Sequence, residues 1–305
     1  GGVATACERF AEVIAPRLRD FECGDQASLD ALLVELDGTP DRSRLGGNTL
    51  IATSLAGLRL AAKLEGAPLW RHLAPGAVTR MPLPEIQILG GGAHADGRLP
   101  LQDFMIVPVG APDWSAALAW AADVHRAAAG LMARRGALRG VADEGGLWPE
   151  LETCEQALAL LTEAIEAAGR RPDAEVAISL DVAGNQFFRD GRYDIDGERL
   201  EPEAWLERLL GWCGRYPVRM VEDPCAETDE ATYGRFSEAF GDRGLVVGDD
   251  LVVSHAERIA QALDAGRITA ALIKPNQVGT VTEAKAALDA CPVPIVSARS
   301  GETED

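Results

Sequence analysis

Apolar positions in the first eighty residues recur at helical spacing. Leu29, Leu32, Leu33 and Leu36 fall at i, i+3, i+4 and i+7, so one helix face is apolar; Ser28 stands where a cap is needed, and Gly38 with Pro40 ends the run. From about Thr49 to Leu64 the chain is almost wholly apolar before it meets Gly66 and Pro68, which predicts a second helix buried on most sides. No strand pattern falls in this stretch.

Beyond Pro82 short apolar or β-branched runs alternate with amphipathic ones. The runs predict strands at Ile86–Leu89, Phe104–Val107, Val176–Leu180, Val218–Val221, Leu245–Val247, Ala270–Ile273 and Pro294–Ser297. Between them lie helical patterns at Ser115–Arg134, Glu150–Ala168, Glu203–Cys213, Ala231–Phe240, Ala256–Ala265 and Thr282–Ala290. From the third strand onward strand and helix alternate one for one, the signature of an α/β fold with a parallel sheet. Seven strands suit a (β/α)₈ barrel with one strand missing, and a doubly wound open sheet is the rival.

Charge narrows the partners. With 29 basic and 48 acidic residues the formal charge is −19, which argues against nucleic acid or an anionic membrane and suits metal ions or a basic partner. The apolar run at 45–58 is too short to span a bilayer, and the N-terminus lacks a signal pattern, so a soluble, cytoplasmic protein is expected. Six cysteines (Cys7, Cys23, Cys154, Cys213, Cys225, Cys291) stand singly, unlike zinc or redox pairs, and read mostly as small buried hydrophobes.

The predicted strands end in polar residues, and a barrel would bring those ends to one face. Asp181, Glu222 and Asp249, separated by 41 and 27 residues, each follow a strand; oxygen-only ligation of this kind favours Mg²⁺. Each alone could equally be a helix cap or an ion-pair partner. Lys274 follows the next strand, and a nearby divalent cation would disfavour its charged form, making it a candidate general base. Arg299 with Ser300 could bind phosphate or carboxylate.

The segments LPLPEIQILGGGAHADGRLPLQDFMIVPVGA, VADEGG, SLDVAGNQFF, MVEDP, GDDL, LIKPNQVGTVTEA and ARSGETED resemble, in order and spacing, the signature blocks of the enolase family. The N-terminal helical stretch, with DQASLDALLVELDGT and LGGNTLIATSLA, is similar to the helical part of that family's capping domain. The resemblance implies residues 1–80 as the remainder of a capping domain and 81–305 as a (β/α) barrel lacking its last strand. It also implies Mg²⁺-dependent dehydration of 2-phosphoglycerate, or a similar small phosphorylated carboxylic acid, and a homodimer. By motif, Asp181, Glu222 and Asp249 take the metal-ligand positions, Lys274 that of the base and Glu144 that of the acid aiding loss of the C3 hydroxyl. Burial or the neighbouring Asp143 would keep Glu144 protonated. Gln102, Asp103, Arg299, Ser300 and His94 fall at substrate-binding positions, His94 on a glycine-hinged lid.

Four departures accompany the resemblance. Ala298 stands where the family carries histidine, Asp103 where it carries glutamate, and Gly90-Gly91-Gly92-Ala93-His94-Ala95 replaces NGGSHA. The chain also looks truncated at both ends relative to the family pattern, without its early serine-bearing loop and its final lysine-bearing strand. The pocket changes make an enzyme resembling carboxyphosphonoenolpyruvate synthase, of phosphonate biosynthesis, the alternative within the class. A non-catalytic, enolase-shaped binding protein is the alternative outside it.

Overall fold

All seven strands expected from the apolar pattern form in the computed structural model, which describes residues 3–22, 24–74, 76 and 81–299. The chain divides into two compact units: Met81–Leu251 with Ala262–Ala270, and Gly1–Arg80 with Val252–Gln261 and Ala271–Asp305.

The first of these is built on β1 (Ile86–Gly90), β2 (Asp103–Val107), β3 (Leu138–Val141), β4 (Leu147–Pro149), β5 (Ala177–Asp181), β6 (Phe188–Arg189), β7 (Arg192–Ile195), β8 (Glu198–Leu200), β9 (Val218–Glu222) and β10 (Leu245–Gly248). Its main strands run in the order β10-β9-β5-β2-β1-β4-β3. The pairs β5–β9 and β9–β10 are parallel, whereas β2 is antiparallel to both β1 and β5. All five residues of β5 are buried, the state of a strand covered on both faces. Helices Trp114–Arg135, Cys154–Ala167, Pro202–Arg215 and Glu230–Phe240 lie along the crossovers. In the first of them Ala117, Ala121, Val124, Ala128 and Leu131 form the buried stripe. Side chains of Asp113, Thr153 and Asp229 accept from backbone N–H groups at 2.8, 3.2 and 3.3 Å and start three of these helices.

Five short strands were not among the expected seven. The hairpin β3–β4 carries Arg139 and Gly140 in its first arm, so its apolar content is too low to announce a strand. In β7, Tyr193 and Ile195 are buried and Arg192 and Asp194 exposed, a period of two that the sequence does display.

The other unit contains helices, among them Gln26–Asp37, Gly47–Glu65 and Val281–Ala290, and the parallel pair β11 (Ala270–Ile273) and β12 (Pro294–Val296). Among the described residues before 81 there is no strand, as the pattern indicated. Ile14, Leu29, Leu33, Leu45 and Leu50 make its core. Two expectations need correction. The cap of the first long helix is Asp25, whose carboxylate accepts from Ser28 N at 3.1 Å; an ionised carboxylate three residues upstream satisfies the orphan amide, and Ser28 lies inside the helix. The second helix is buried on one face only: Leu50, Ile51, Leu58 and Ala61 are inside, whereas Leu60 and Leu64 are 47% and 69% exposed.

Asp30, 2% exposed, ties three helices of this unit together. It accepts from Ser54 Oγ at 2.6 Å, Gln26 Nε2 at 2.9 Å, Thr282 N at 2.9 Å and Thr282 Oγ1 at 2.6 Å. Asp30→Ala therefore removes the acceptor of four hydrogen bonds at once, one of them from the buried Ser54 hydroxyl, and is expected to cost about 3 kcal/mol of stability. Urea unfolding followed by circular dichroism measures it; a loss under about 0.5 kcal/mol, the range of ordinary surface substitutions, contradicts the assignment.

Among the described residues no helix is long and apolar enough to cross a membrane. Cys154, Cys213, Cys225 and Cys291 are buried and Cys7 is exposed, while Cys23 lies outside the described residues. Burial pushes the Cys213 and Cys225 thiols up to about 12, which makes them poor nucleophiles at neutral pH.

Candidate active site

Strand register sets up the acidic row in the sheet-bearing unit. Gly90 pairs with Asp103, Asp103 with Asp181, and Asp181 with Glu222, so the three carboxylate residues lie side by side across neighbouring strands. Because β2 runs antiparallel, its first residue shares an edge with the last residues of β5 and β9. Asp249 follows β10, whose Val247 pairs with Glu222. Asp103, Asp181, Glu222 and Asp249 are all buried.

Crowding makes ionisation costly. Asp181 is raised well above the usual carboxylate range by burial and by the charges of Asp103, Asp223 and Asp249. Glu222 is raised well above it by burial and by Asp181, Asp249, Asp223 and Glu85. Such a group of oxygen donors, destabilised by its own like charge, fits a hard divalent cation, which would relieve the repulsion. Two contributors carried no role in the sequence reading. Glu85, just before β1, is raised mainly by burial. Asp223, at φ +39, accepts from Asp250 N at 2.6 Å, Asp249 N at 3.2 Å and Tyr233 Oη at 3.1 Å, and burial with Asp249 and Asp250 pushes it up to about 7. The MVEDP block contains it, but only the fold shows that it holds the backbone on which Asp249 stands.

A second group forms beside Asp103. His94 Nδ1 lies 3.2 Å from Asp103 Oδ1, and that bond raises the imidazole's pKa. His94, Asp103 and Glu144 offer ligand atoms within 4.8 Å of one another, an arrangement that could also hold a metal ion. Glu144 sits with Asp143 in the exposed turn between β3 and β4, so burial cannot keep it protonated, and that part of the expectation is corrected.

The glycines near His94 also have a different reason from the one expected. A Cβ at Gly90 would run into Ala142, one at Gly91 into Leu101 O, and one at Gly92 would lie 2.8 Å from Gln186 Oε1. Gly91 N donates to Gln102 O and Gly92 N to Leu99 O, each at 2.7 Å. Close approach, not hinge freedom, accounts for the run.

Three glutamines complete the surroundings, of which only Gln102 was expected. Gln102 Nε2 donates to Asp181 Oδ2 at 2.7 Å, and Gln102 Oε1 accepts from Gln186 Nε2. Gln87 Nε2 donates to Asp103 Oδ1 while its Oε1 accepts from Gly146 N at 2.7 Å, next to the turn bearing Glu144. Neutral amides in alternating patterns give no chemical signal in a sequence.

Lys274, Arg299 and Ala298 belong to the other unit. Lys274 is half-buried at the end of β11, and its N–H donates to Ser254 Oγ at 2.8 Å. Arg299 Nη1 donates to Ser297 Oγ at 2.8 Å, and Ala298 is exposed. Ser300 lies outside the described residues.

Comparison with known families adds two matches. Residues 78–305 match the family model for the enolase C-terminal TIM barrel domain, and residues 1–73 that for the enolase N-terminal domain.

Proposed function

The chain belongs to the enolase family, and on that footing we propose that it is a Mg²⁺-dependent lyase that dehydrates 2-phosphoglycerate, or a congener of it, to an enolpyruvate product. The observation that carries this reading is the register-matched row of buried carboxylates, Asp103, Asp181 and Glu222, with Asp249 on the next strand. Asp181, Glu222 and Asp249 would hold the Mg²⁺. When bound, the ion supplies positive charge to the substrate carboxylate, where a second negative charge develops as the C2 proton leaves.

The remaining steps fall to side chains. Lys274, as a neutral amine, takes the C2 proton and becomes an ammonium. The C3 hydroxyl then leaves with a proton from Glu144, so that water and the enolpyruvate form and the electron pair of the broken C2–H bond becomes the new double bond. Glu144 stands beside Asp143 in the exposed turn between β3 and β4, where a bound substrate can reach it. Arg299 and Ser300 bind the phosphoryl group, and Gln102, Asp103 and His94 contact the substrate.

Two departures favour a congener over 2-phosphoglycerate itself. Ala298 offers a methyl group at an exposed position next to Arg299, and Asp103 is one methylene shorter than the family's glutamate. A substrate enlarged at its phosphoryl end, of the carboxyphosphonoenolpyruvate synthase type, would use that space. Ala298→His should then shift the ratio of kcat/KM for 2-phosphoglycerate over the enlarged congener upward by about 10–100-fold. Turnover of 2-phosphoglycerate by the unmodified protein at about 10⁴ M⁻¹s⁻¹ or above, unaffected by Ala298→His, would return the assignment to the unmodified substrate.

A further inference from the structure

We propose that Gln186 is a positioning residue that ties the turn carrying His94 to Asp181 through Gln102. The inference rests on the metal and substrate roles given above to Asp181 and His94, but the link itself is a chain of hydrogen bonds with a fixed direction. Asp181 accepts from Gln102 Nε2 at 2.7 Å, and Gln102 Oε1 is turned toward Gln186. Gln186 must therefore donate through Nε2, and its own Oε1 is turned to Ala93 N, which donates to it at 3.2 Å. With Asp181 ionised, as a metal ligand would be, the order Ala93 N, Gln186, Gln102, Asp181 is the one that leaves no oxygen facing oxygen.

Packing holds Gln186 in this place. A Cβ at Gly184 would lie 2.8 Å from Cys225 Cα, so the short turn Gly184–Gln186 rests directly on the backbone after β9. Gln186 N donates to Ala183 O at 2.8 Å, and Arg189 Nη2 donates to Gln186 O at 2.8 Å. On the other side a Cβ at Gly92, at φ +46, would lie 2.8 Å from Gln186 Oε1, so the two turns are in close approach. The Gly92–Ala95 turn is thus seated on an amide whose orientation is dictated, through Gln102, by a carboxylate assigned to the metal. A metal held by Asp181 would fix the carboxylate to which Gln102 donates; Gln102 then orients Gln186, and Gln186 the turn from which His94 projects.

The test follows amide hydrogen exchange in the segment 91–97, with and without Mg²⁺, in the full chain and in two variants. Gln186→Met keeps bulk but removes both links; exchange at Ala93 is expected to rise about three- to tenfold in metal-free protein, and Mg²⁺ should no longer slow it. Gln186→Glu keeps an acceptor for Ala93 N but cannot donate to Gln102; metal-free exchange should stay near that of the unmodified protein while the Mg²⁺ response is lost. If Gln186→Met fails to unfold cooperatively, Gln186→Glu decides alone. Equal Mg²⁺-dependent protection of 91–97 in the unmodified protein and in Gln186→Glu overturns the proposal. Absence of any Mg²⁺ effect on the melting temperature of the unmodified protein would instead overturn the metal reading, and the metal-free comparison at Ala93 would still decide the tie.

Discussion

Lys274→Ala is expected to reduce exchange of the substrate's C2 proton with solvent deuterium by about 10²–10⁴-fold, the usual worth of a positioned general base. Removal of the proton would leave a carbanion next to the substrate carboxylate, so exchange would report the first step even where elimination is slow. The Lys274 N–H bond to Ser254 Oγ at 2.8 Å belongs to the backbone and survives truncation of the side chain. Glu144→Gln should behave differently, keeping exchange while slowing release of the hydroxyl, because it acts after the proton has gone. NMR of recovered substrate measures exchange, and absorbance of the enol product measures elimination. If the Lys274→Ala protein exchanges at the unmodified rate, another residue is the base.

Asp181→Asn should have opposite effects on stability with and without metal. The pKa of Asp181 is raised in the folded protein from an ordinary value of 3.8, by burial first and then by Asp103, Asp223 and Asp249. A carboxyl raised in this way binds its proton more tightly folded than unfolded, so metal-free stability falls as pH climbs above the unfolded value, until the folded pKa is passed. Asp223, pushed up to about 7, adds a loss between roughly pH 4 and 7. The neutral amide removes one charge from the row, and its oxygen can still accept from Gln102 Nε2. Metal-free, the variant should melt above the unmodified protein at pH 8, by a margin that shrinks toward pH 5. With Mg²⁺ the order reverses: binding at 100 times Kd stabilises the unmodified protein by about 2.7 kcal/mol, and the variant should forfeit most of it. Scanning calorimetry at both pH values, with Mg²⁺ and with chelator, reads both effects. A variant that responds to Mg²⁺ as the unmodified protein does removes Asp181 from the metal site.

Both predictions concern residues that the sequence singled out, and the reason they were legible is geometric. A parallel strand ends where its apolar run ends, so the first polar residue after it marks the sheet edge; Asp181, Glu222, Asp249 and Lys274 were read in this way, and all seven expected strands form. The ordered blocks then pointed to the enolase family, which the two domain matches bear out. Short irregular elements escaped. Strand β4 is three residues long and β6 only two, below the length at which periodicity distinguishes a strand from a loop. Asp25 is hard to tell from Ser28 as the cap because Ser28, also a capping residue type, stands three positions later, where its amide and its hydroxyl both donate to the Asp25 carboxylate.

The sequence by itself determined the α/β class, the strand ends and the family, because each depends on local periodicity or on residues read in order along the chain. Which amide serves which carboxylate was decided only by tertiary structure. Gln87 meets Asp103 sixteen residues away, and Gln186 meets Gln102 eighty-four residues away. The same holds for the glycines before His94: the letters Gly-Gly-Gly suit a hinge and a tight contact equally, and only the backbone of Leu101 and the amide of Gln186 pressing on them make it a contact. The exposure of Glu144 and the raised pKa of Asp181 belong to the same class, since burial and like-charge crowding are properties of side chains brought together from distant strands.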